Sequence, residues 1–334
     1  MFLKEILNKN KERKTMIAVF AFFLLLVLFY KWQVIISNKY LFLGNENYKN
    51  KDYNESLKNY KYAVVVDGDR SVVYSAMLKR AEIFYSHDKL DEAEKEAKEA
   101  IGEIENDFRA YEVLGDVYYA KLDAANAIEY YQKAVELKKD DSEAIEIKLA
   151  KSFMAEGEIG IANDIFLKLY SKNKSNSEVL YHLGIISFYE NGLYNDYLAS
   201  IIKNEDVNYK DKIENIKKFL DDYGKINNEA YLDVLTADLF NKINEPYLAI
   251  AKGKKAAEEK INYRDSFLTL GKSYFLAEDY KNSYENFAKA LELDSHNSEI
   301  YFWLGTVYQK IGNDLKAHEF MNRNDELRIR NNEL

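Results

Sequence analysis

The sequence predicts an all-α chain: an N-terminal transmembrane helix followed by an α-solenoid of about eight helix pairs, with one inserted helix. Three observations predict it. Met16 to Tyr30 runs fifteen residues without a charge, small residues recur about every 34 positions from 44 to 305, and 334 residues hold one proline and 13 glycines. With 47% hydrophobic and 31% charged residues, the chain has material for a core and for much exposed helix surface.

The first element is the span. After MIAVFAFFLLLVLFY, Lys31 and Gln33 interrupt the apolar run and Val34, Ile35 and Ile36 resume it. As a helix, Met16–Ile36 would extend roughly 31 Å, the thickness of a hydrocarbon core. Lys31 can lift its ammonium toward headgroups, and Tyr30 and Trp32 are residue types of the membrane interface. A cleavable signal peptide is the competing reading, but VIISNKYLFLGNEN offers no A-x-A-like cleavage site. We therefore expect a basic tail at 1–14, an uncleaved signal anchor at 15–36 in contact with the lipid bilayer, and everything else beyond it.

Flanking charge predicts the topology. Lys4, Lys9, Lys11, Arg13 and Lys14 precede the span, and only Lys39 and Lys49 lie in the fourteen residues after Ile36. The positive-inside rule places the N-terminus in the cytoplasm and the repeats outside the cell membrane, as a single-pass protein. Residues 1–36 carry a net +4, leaving −13 on the body. So acidic a body excludes nucleic-acid binding as the main role. Lysine, asparagine, isoleucine and tyrosine are heavily used, a bias of AT-rich genomes that favours a bacterial source. There is no cysteine, so disulfides, thiolate metal sites and a cysteine nucleophile are excluded.

The second element is the array. Gly44, Ala81, Gly115, Ala150, Gly184, Ala237, Gly271 and Gly305 form one column, with successive spacings of 37, 34, 35, 34, 53, 34 and 34. Around it, residues 111–118 read Tyr-x-x-Leu-Gly-x-x-Tyr, followed by Ala127, Tyr131 and Ala134. Residues 267–274 read Phe-x-x-Leu-Gly-x-x-Tyr, and 301–308 repeat the tyrosine version. The first copy has Tyr40, Leu43, Gly44, Ser56, Tyr60 and Ala63. Tyr111, Leu114, Gly115 and Tyr118 share one helical face, where the small residue lets a second helix approach. One pair leaves a face uncovered, and stacking the next covers it.

On these residues, segment 37–331 resembles the tetratricopeptide repeat (TPR) family, whose unit is a helix–turn–helix of 34 residues. The resemblance implies an α-solenoid and a protein-binding role. Lys51-Asp52-Tyr53, Glu278-Asp279-Tyr280 and Gly312-Asn313-Asp314 fall where its turns and caps belong. The chain departs from the family in having Asp67-Gly68, Lys139-Asp140 and Asp294-Ser295 where proline often follows the second helix. Leu149-Ala150 and Thr236-Ala237 replace the Leu-Gly pair in two copies.

The 53-residue spacing predicts an insertion. Ile213, Ile216, Phe219, Leu220 and Tyr223 share a face, with Gly224 at a C-cap position, so we expect an inserted helix at about 209–223. A lengthened second helix is the alternative. The expected organisation is a first subarray at 37–204, an inserted helix or hinge at 205–229, and a second subarray at 230–334. That last segment would end in a polar capping helix.

Nothing in the sequence carries catalysis. His87, His182, His296 and His318 are far apart, and no phosphate loop, nucleophile elbow or zinc motif occurs. The acidic pairs Asp91-Glu92, Asp140-Asp141 and Asp221-Asp222 read as solvated faces. We expect no enzyme activity, no metal and no cofactor. A cryptic hydrolase would need an acidic or histidine pocket formed only in three dimensions.

In the family the first helix of each pair lines the concave surface. Four positions after the small-residue column lie Tyr48, Tyr85, Tyr119, Met154, Phe188, Asn241, Phe275 and Gln309. Tyr48, Tyr85, Tyr119, Met154, Phe188 and Phe275 are the expected groove for a protein or peptide ligand. An aromatic stripe at helical spacing is more often core than groove. Leu41, Asn45, Leu78 and Glu82 lack the lysine that family members use to grip chaperone C-termini. The functional expectation is a membrane-anchored interaction scaffold organising an envelope or secretion-related complex. A translocon-associated, holdase-like chaperone for unfolded chains is the alternative.

Overall fold

The computed structural model describes residues 2–66, 68–192, 195–203, 206–223 and 229–332. Among them there are seventeen helices and no strand. Clustering of contacts divides the chain into two compact units, 1–145 and 146–334. The first holds α1 (Phe2–Lys49), α2 (Tyr53–Val66), α3 (Arg70–Ser86), α4 (Leu90–Glu103), α5 (Phe108–Ala120) and α6 (Ala124–Lys138). The boundary falls in the first turn of α7 (Glu143–Glu156). The second unit continues with α8 (Ile159–Lys172), α9 (Ser177–Asn191), α10 (Asp196–Lys203), α11 (Val207–Tyr223), α12 (Glu229–Lys242) and α13 (Pro246–Glu259). It ends with α14 (Arg264–Leu276), α15 (Tyr280–Leu293), α16 (Ser298–Lys310) and α17 (Asp314–Asn332).

α1 is one helix through the apolar run and on into the first repeat. Its stretch from Arg13 onward is long and apolar enough to cross a membrane, and the apolar window is wholly exposed on the protein. Anchors and signal sequences share that property. Higher up, α1 becomes a core helix, with Gly44 buried against α2.

Successive helices pair as the small-residue column requires. A Cβ on Gly44 would stand 2.5 Å from the Tyr60 ring, and one on Gly115 would stand 2.5 Å from the Tyr131 ring. Gly271 meets Phe287 in the same way at 2.6 Å. The large residue lies sixteen positions after the glycine, on the second helix of the pair, and lies flat against bare backbone. Where the column holds Ala81, the second helix answers with Ala97 in the same core cluster. In two pairs a serine also ties the helices: Ser56 Oγ donates to the Gly44 carbonyl and Ser283 Oγ to that of Gly271, both at 2.9 Å.

Each intra-repeat turn contains a left-handed residue. Lys51, Asp88, Leu122, Gly157, Asn244, Glu278 and Gly312 have φ between 58° and 92° and stand seven positions after the column residue. Only two of these are glycine. The following residue often caps the next helix: Asp123 accepts from Asn126 N, Asp279 from Asn282 N and Asn313 from Lys316 N.

In the second unit the segment after α9 folds as two helices. α10 is a short partner for α9, its Leu198 filling the space beside Gly184, and α11 follows as a separate helix. Ile213, Ile216 and Phe219 are buried in one core that runs from Ile147 to Ala249. Gly224, expected to cap this helix, lies outside the described residues, as do 204–205 and 225–228 at the edges of the expected hinge. The expected division at 205–229 falls within the second unit.

Candidate functional site

In the first unit α3 touches both α1 and α5, so the first helices of the pairs form a layer of their own. On it, residues one and four places after the column share a face. Tyr48 is half-buried, packed edge-on against Tyr53 at 5.8 Å, with the Lys79 ammonium 5.5 Å from its ring centre. Lys79 also pairs with Glu82 at 2.6 Å. Tyr60 donates to Asn45 Oδ1 at 2.8 Å, and Tyr131 donates to Asp116 Oδ1 at 2.7 Å.

The electrostatics match this geometry. Burial pushes the Tyr131 hydroxyl well above its ordinary pKa, and the Asp116 carboxylate beside it, with Tyr85 and Tyr119 nearby, adds to the shift. Burial raises Tyr60 too, with Glu82 and Tyr48 as smaller contributors. The Tyr60 and Tyr131 hydroxyls thus stay protonated and able to donate. Tyr85 is 37% exposed and Tyr119 half-buried, so part of each side chain faces solvent.

The second unit treats the expected residues differently. Met154 and Phe188 were expected to line a groove, but they are 5% and 1% exposed and belong to the core. The reason is the insertion. Phe219 of α11 packs edge-on to Phe188 at 6.1 Å and Phe240 of α12 does so at 5.8 Å, while Tyr209 of α11 stacks on Tyr181 at 4.4 Å. α11 thus occupies the face that the corresponding helices of the first unit leave open. Phe275 is half-buried between Tyr280 and Trp303, at 5.6 and 5.3 Å. Asn241 is half-buried and Gln309 exposed.

Beyond Asn45, Glu82 and Asn241, polar residues beside the column escaped the sequence reading in each unit. Thr269 Oγ1 donates to Asp238 Oδ1 at 3.1 Å, Asn241 Nδ2 reaches the Thr269 carbonyl at 3.5 Å, and Lys272 pairs with Glu299 at 2.7 Å. Burial raises the Asp238 carboxyl above the usual range, opposed by the Lys272 charge. Asn45, Glu82, Asp116, Asp238 and Lys272 all stand immediately after the column residue. That repeated polarity beside the small residue is the signal that could have found them.

In the first unit this layer carries partly exposed tyrosines, the side chains of Asn45, Glu82 and Asp116, and Lys79. Among the described residues no group of three or more His, Asp or Glu side chains is placed to hold a metal. His182, stacked on Phe166 at 4.8 Å, is a buried packing residue whose pKa burial lowers to about 3.

Comparison with known proteins agrees with this architecture. Residues 30–152 match a family model described as a tetratricopeptide repeat-like domain, and residues 271–312 match one described as a TPR repeat. A TPR repeat-containing protein of Methanocaldococcus jannaschii is 26% identical over 262 residues, covering 76% of this chain and 44% of the relative. The small glutamine-rich tetratricopeptide repeat-containing protein 2 of Saccharomyces cerevisiae is 31% identical over 99 residues, 30% of this chain and 28% of that one. The chain thus spans less than half the length of the curated relatives it matches. Among solved structures, a tetratricopeptide repeat protein from Parabacteroides merdae aligns over 81% of this chain and 98% of its own, at 15% identity and a TM-score of 0.46.

Proposed function

We propose that this chain, which belongs to the tetratricopeptide repeat family, is a membrane-anchored scaffold that holds protein partners against the first helices of its repeats. The observation that carries the reading is the open face of the first unit. There the partly exposed Tyr48, Tyr85 and Tyr119 share the first-helix layer with Asn45 and Asp116, which accept from Tyr60 and Tyr131, and that layer is continuous with the apolar helix α1. Aromatic edges supply contact area at low entropic cost, and the acceptors fix register.

The exposed apolar run supports anchoring through residues 15–36. The lysine and arginine excess before it supports a cytoplasmic N-terminus with the repeats outside the cell membrane. A scaffold so placed would organise an envelope or secretion-related complex. The holdase alternative needs a long open apolar groove, and the burial of Met154 and Phe188 counts against one in the second unit.

The test is site-specific photo-crosslinking in cells, with the reactive residue at Tyr85 or Tyr119 and, for comparison, at Lys95 or Lys133 on second helices. Discrete adducts from the tyrosine positions alone are expected. A smear of many proteins would replace the scaffold with a holdase. Adducts from Lys95 and Lys133 alone, or none anywhere, would overturn the assigned face.

A further inference from the structure

The corner between α2 and α3 is fastened to α1 at the height where the apolar run ends. Gln33 Nε2 donates to the Val66 carbonyl at 3.0 Å. Gly68 is buried so closely on α1 that a Cβ would stand 2.5 Å from both the Gln33 carbonyl oxygen and Ser37 Oγ. Gln33 is, with Lys31, one of the two polar residues that interrupt the apolar run, and this bond accounts for it. Ser37, one turn on, is fully buried by the same contact.

The corner carries large side chains that the protein covers only in part. Val65 is 70% exposed and Tyr62 is 45% exposed, one turn apart on α2. On α1 at the same height, Trp32 and Ile35 are 55% and 66% exposed. What covers them follows from lengths. The uncharged run Met16–Tyr30 spans only about 22 Å as a helix, whereas a hydrocarbon core is about 30 Å thick. The hydrocarbon core of a bilayer centred on that run extends about 15 Å, or about ten residues, beyond Phe23, past Trp32 to about Gln33, and so meets the corner tied to Gln33 at its edge.

We propose that the α2–α3 corner, through Val65 and Tyr62, is a second membrane contact lying in the headgroup and upper acyl region of the bilayer that α1 crosses. The inference rests on the anchor reading above and adds to it a fixed seating of the first repeat. Tyr62 is suited to the place, an aromatic body with a polar end, and its ring packs on Tyr40 of α1 at 5.1 Å. Burial of the valine in acyl chains and of the tyrosine at the interface would resist tilting of the repeat away from the surface.

The chain lacks cysteine, so single labels are clean. Val65→Cys, Leu25→Cys and Lys49→Cys are each made in the full chain, labelled with an environment-sensitive fluorophore and reconstituted in phosphatidylcholine–phosphatidylglycerol vesicles. All three positions are exposed, so none requires repacking. Nitroxide-bearing lipids then report depth. The expected result is quenching at Leu25 by deep nitroxides, blue-shifted emission with quenching at Val65 by shallow ones, and neither at Lys49. Quenching at Leu25 with an unshifted, unquenched Val65 would overturn the corner contact and leave the anchor standing. An unquenched Leu25 would sink both.

Discussion

Tyr181 donates its hydroxyl to Glu245 Oε1 at 2.7 Å, joining α9 to the start of α13 across 64 positions of sequence, and Lys212 of α11 reaches the same oxygen at 2.9 Å. One carboxylate oxygen therefore binds three elements, including the inserted helix. Burial, and then the Glu245 charge, hold the tyrosine protonated. Glu245→Ala would leave a buried hydroxyl without an acceptor and a lysine without its counter-charge. It should cost about 1–3 kcal/mol. Hydrogen exchange of α9 and α11 should accelerate together, and Glu245→Gln, which keeps an acceptor, should do less. Unchanged exchange in α11 would separate that helix from the tie.

Glycines of the column should respond oppositely to one elsewhere. Gly115→Ala drives a methyl into the Tyr131 ring, and Gly271→Leu drives a larger group into Phe287; overpacking of this kind costs about 1–3 kcal/mol. Gly102 is in α4 with nothing within 4 Å of its added Cβ. Gly102→Ala should instead stabilise, by up to about 1 kcal/mol, because it reduces the freedom of the unfolded chain. Thermal melts of the detergent-solubilised protein that moved in the same direction for both classes would refute the packing account.

Glu278 offers a test of the turn geometry. It is exposed, with φ of 61°, a conformation that costs a side-chain-bearing residue about 1 kcal/mol or more. Glu278→Gly should slow exchange in α14 and α15 by removing that cost. Faster exchange would mean that the glycine's extra unfolded-state freedom outweighs the relief.

Acid should attack the first unit through Glu94. Hydrogen bonds from Lys121, then Lys98, and after desolvation from Tyr118, lower its pKa from 4.5 to about 2. A carboxylate depressed in the folded state contributes stability above its unfolded pKa and loses it as pH falls through the folded one. The loss should therefore develop between about pH 4.5 and 2. Glu94→Gln should be less stable at neutral pH and show a shallower decline across that window in melts followed by circular dichroism. Parallel curves for the two proteins would show that other carboxylates govern the acid limb.

Much of the fold was legible because the repeat confines its residue choices. A ring lying on helix backbone demands a glycine, so Gly44, Gly115 and Gly271 announced their pairs. Capping residues such as Asp279 and Asn313 were visible for a similar reason, since few side chains can accept from a helix start. The left-handed positions were harder to read, because Lys51, Asp88, Leu122 and Glu278 occupy them in place of glycine. The expected stripe stays partly exposed at Tyr48, Tyr85, Tyr119 and Phe275 and is buried at Met154 and Phe188. At Met154 and Phe188 the pattern of a groove and the pattern of a core are the same letters, and only the placement of α11 decides between them. The polar neighbours Asp116 and Asp238 were hidden by attention to apolar periodicity. Gln33 looked like a flaw in the span until its partner, thirty-three residues away, was in place.

The unbroken course of α1 from Phe2 to Lys49, about 72 Å of helix, has a mechanical consequence. No swivel separates the apolar stretch from Gly44 and Tyr60, so the first repeat turns when the buried rod turns. A rotation about the rod's axis swings Tyr48 through the same angle, and a tilt of the rod is a tilt of the first pair. In the proposed membrane seating such a lever transmits torque in both directions: a load on the repeats would bear on the lipid, and a change in bilayer thickness would re-aim the aromatic face.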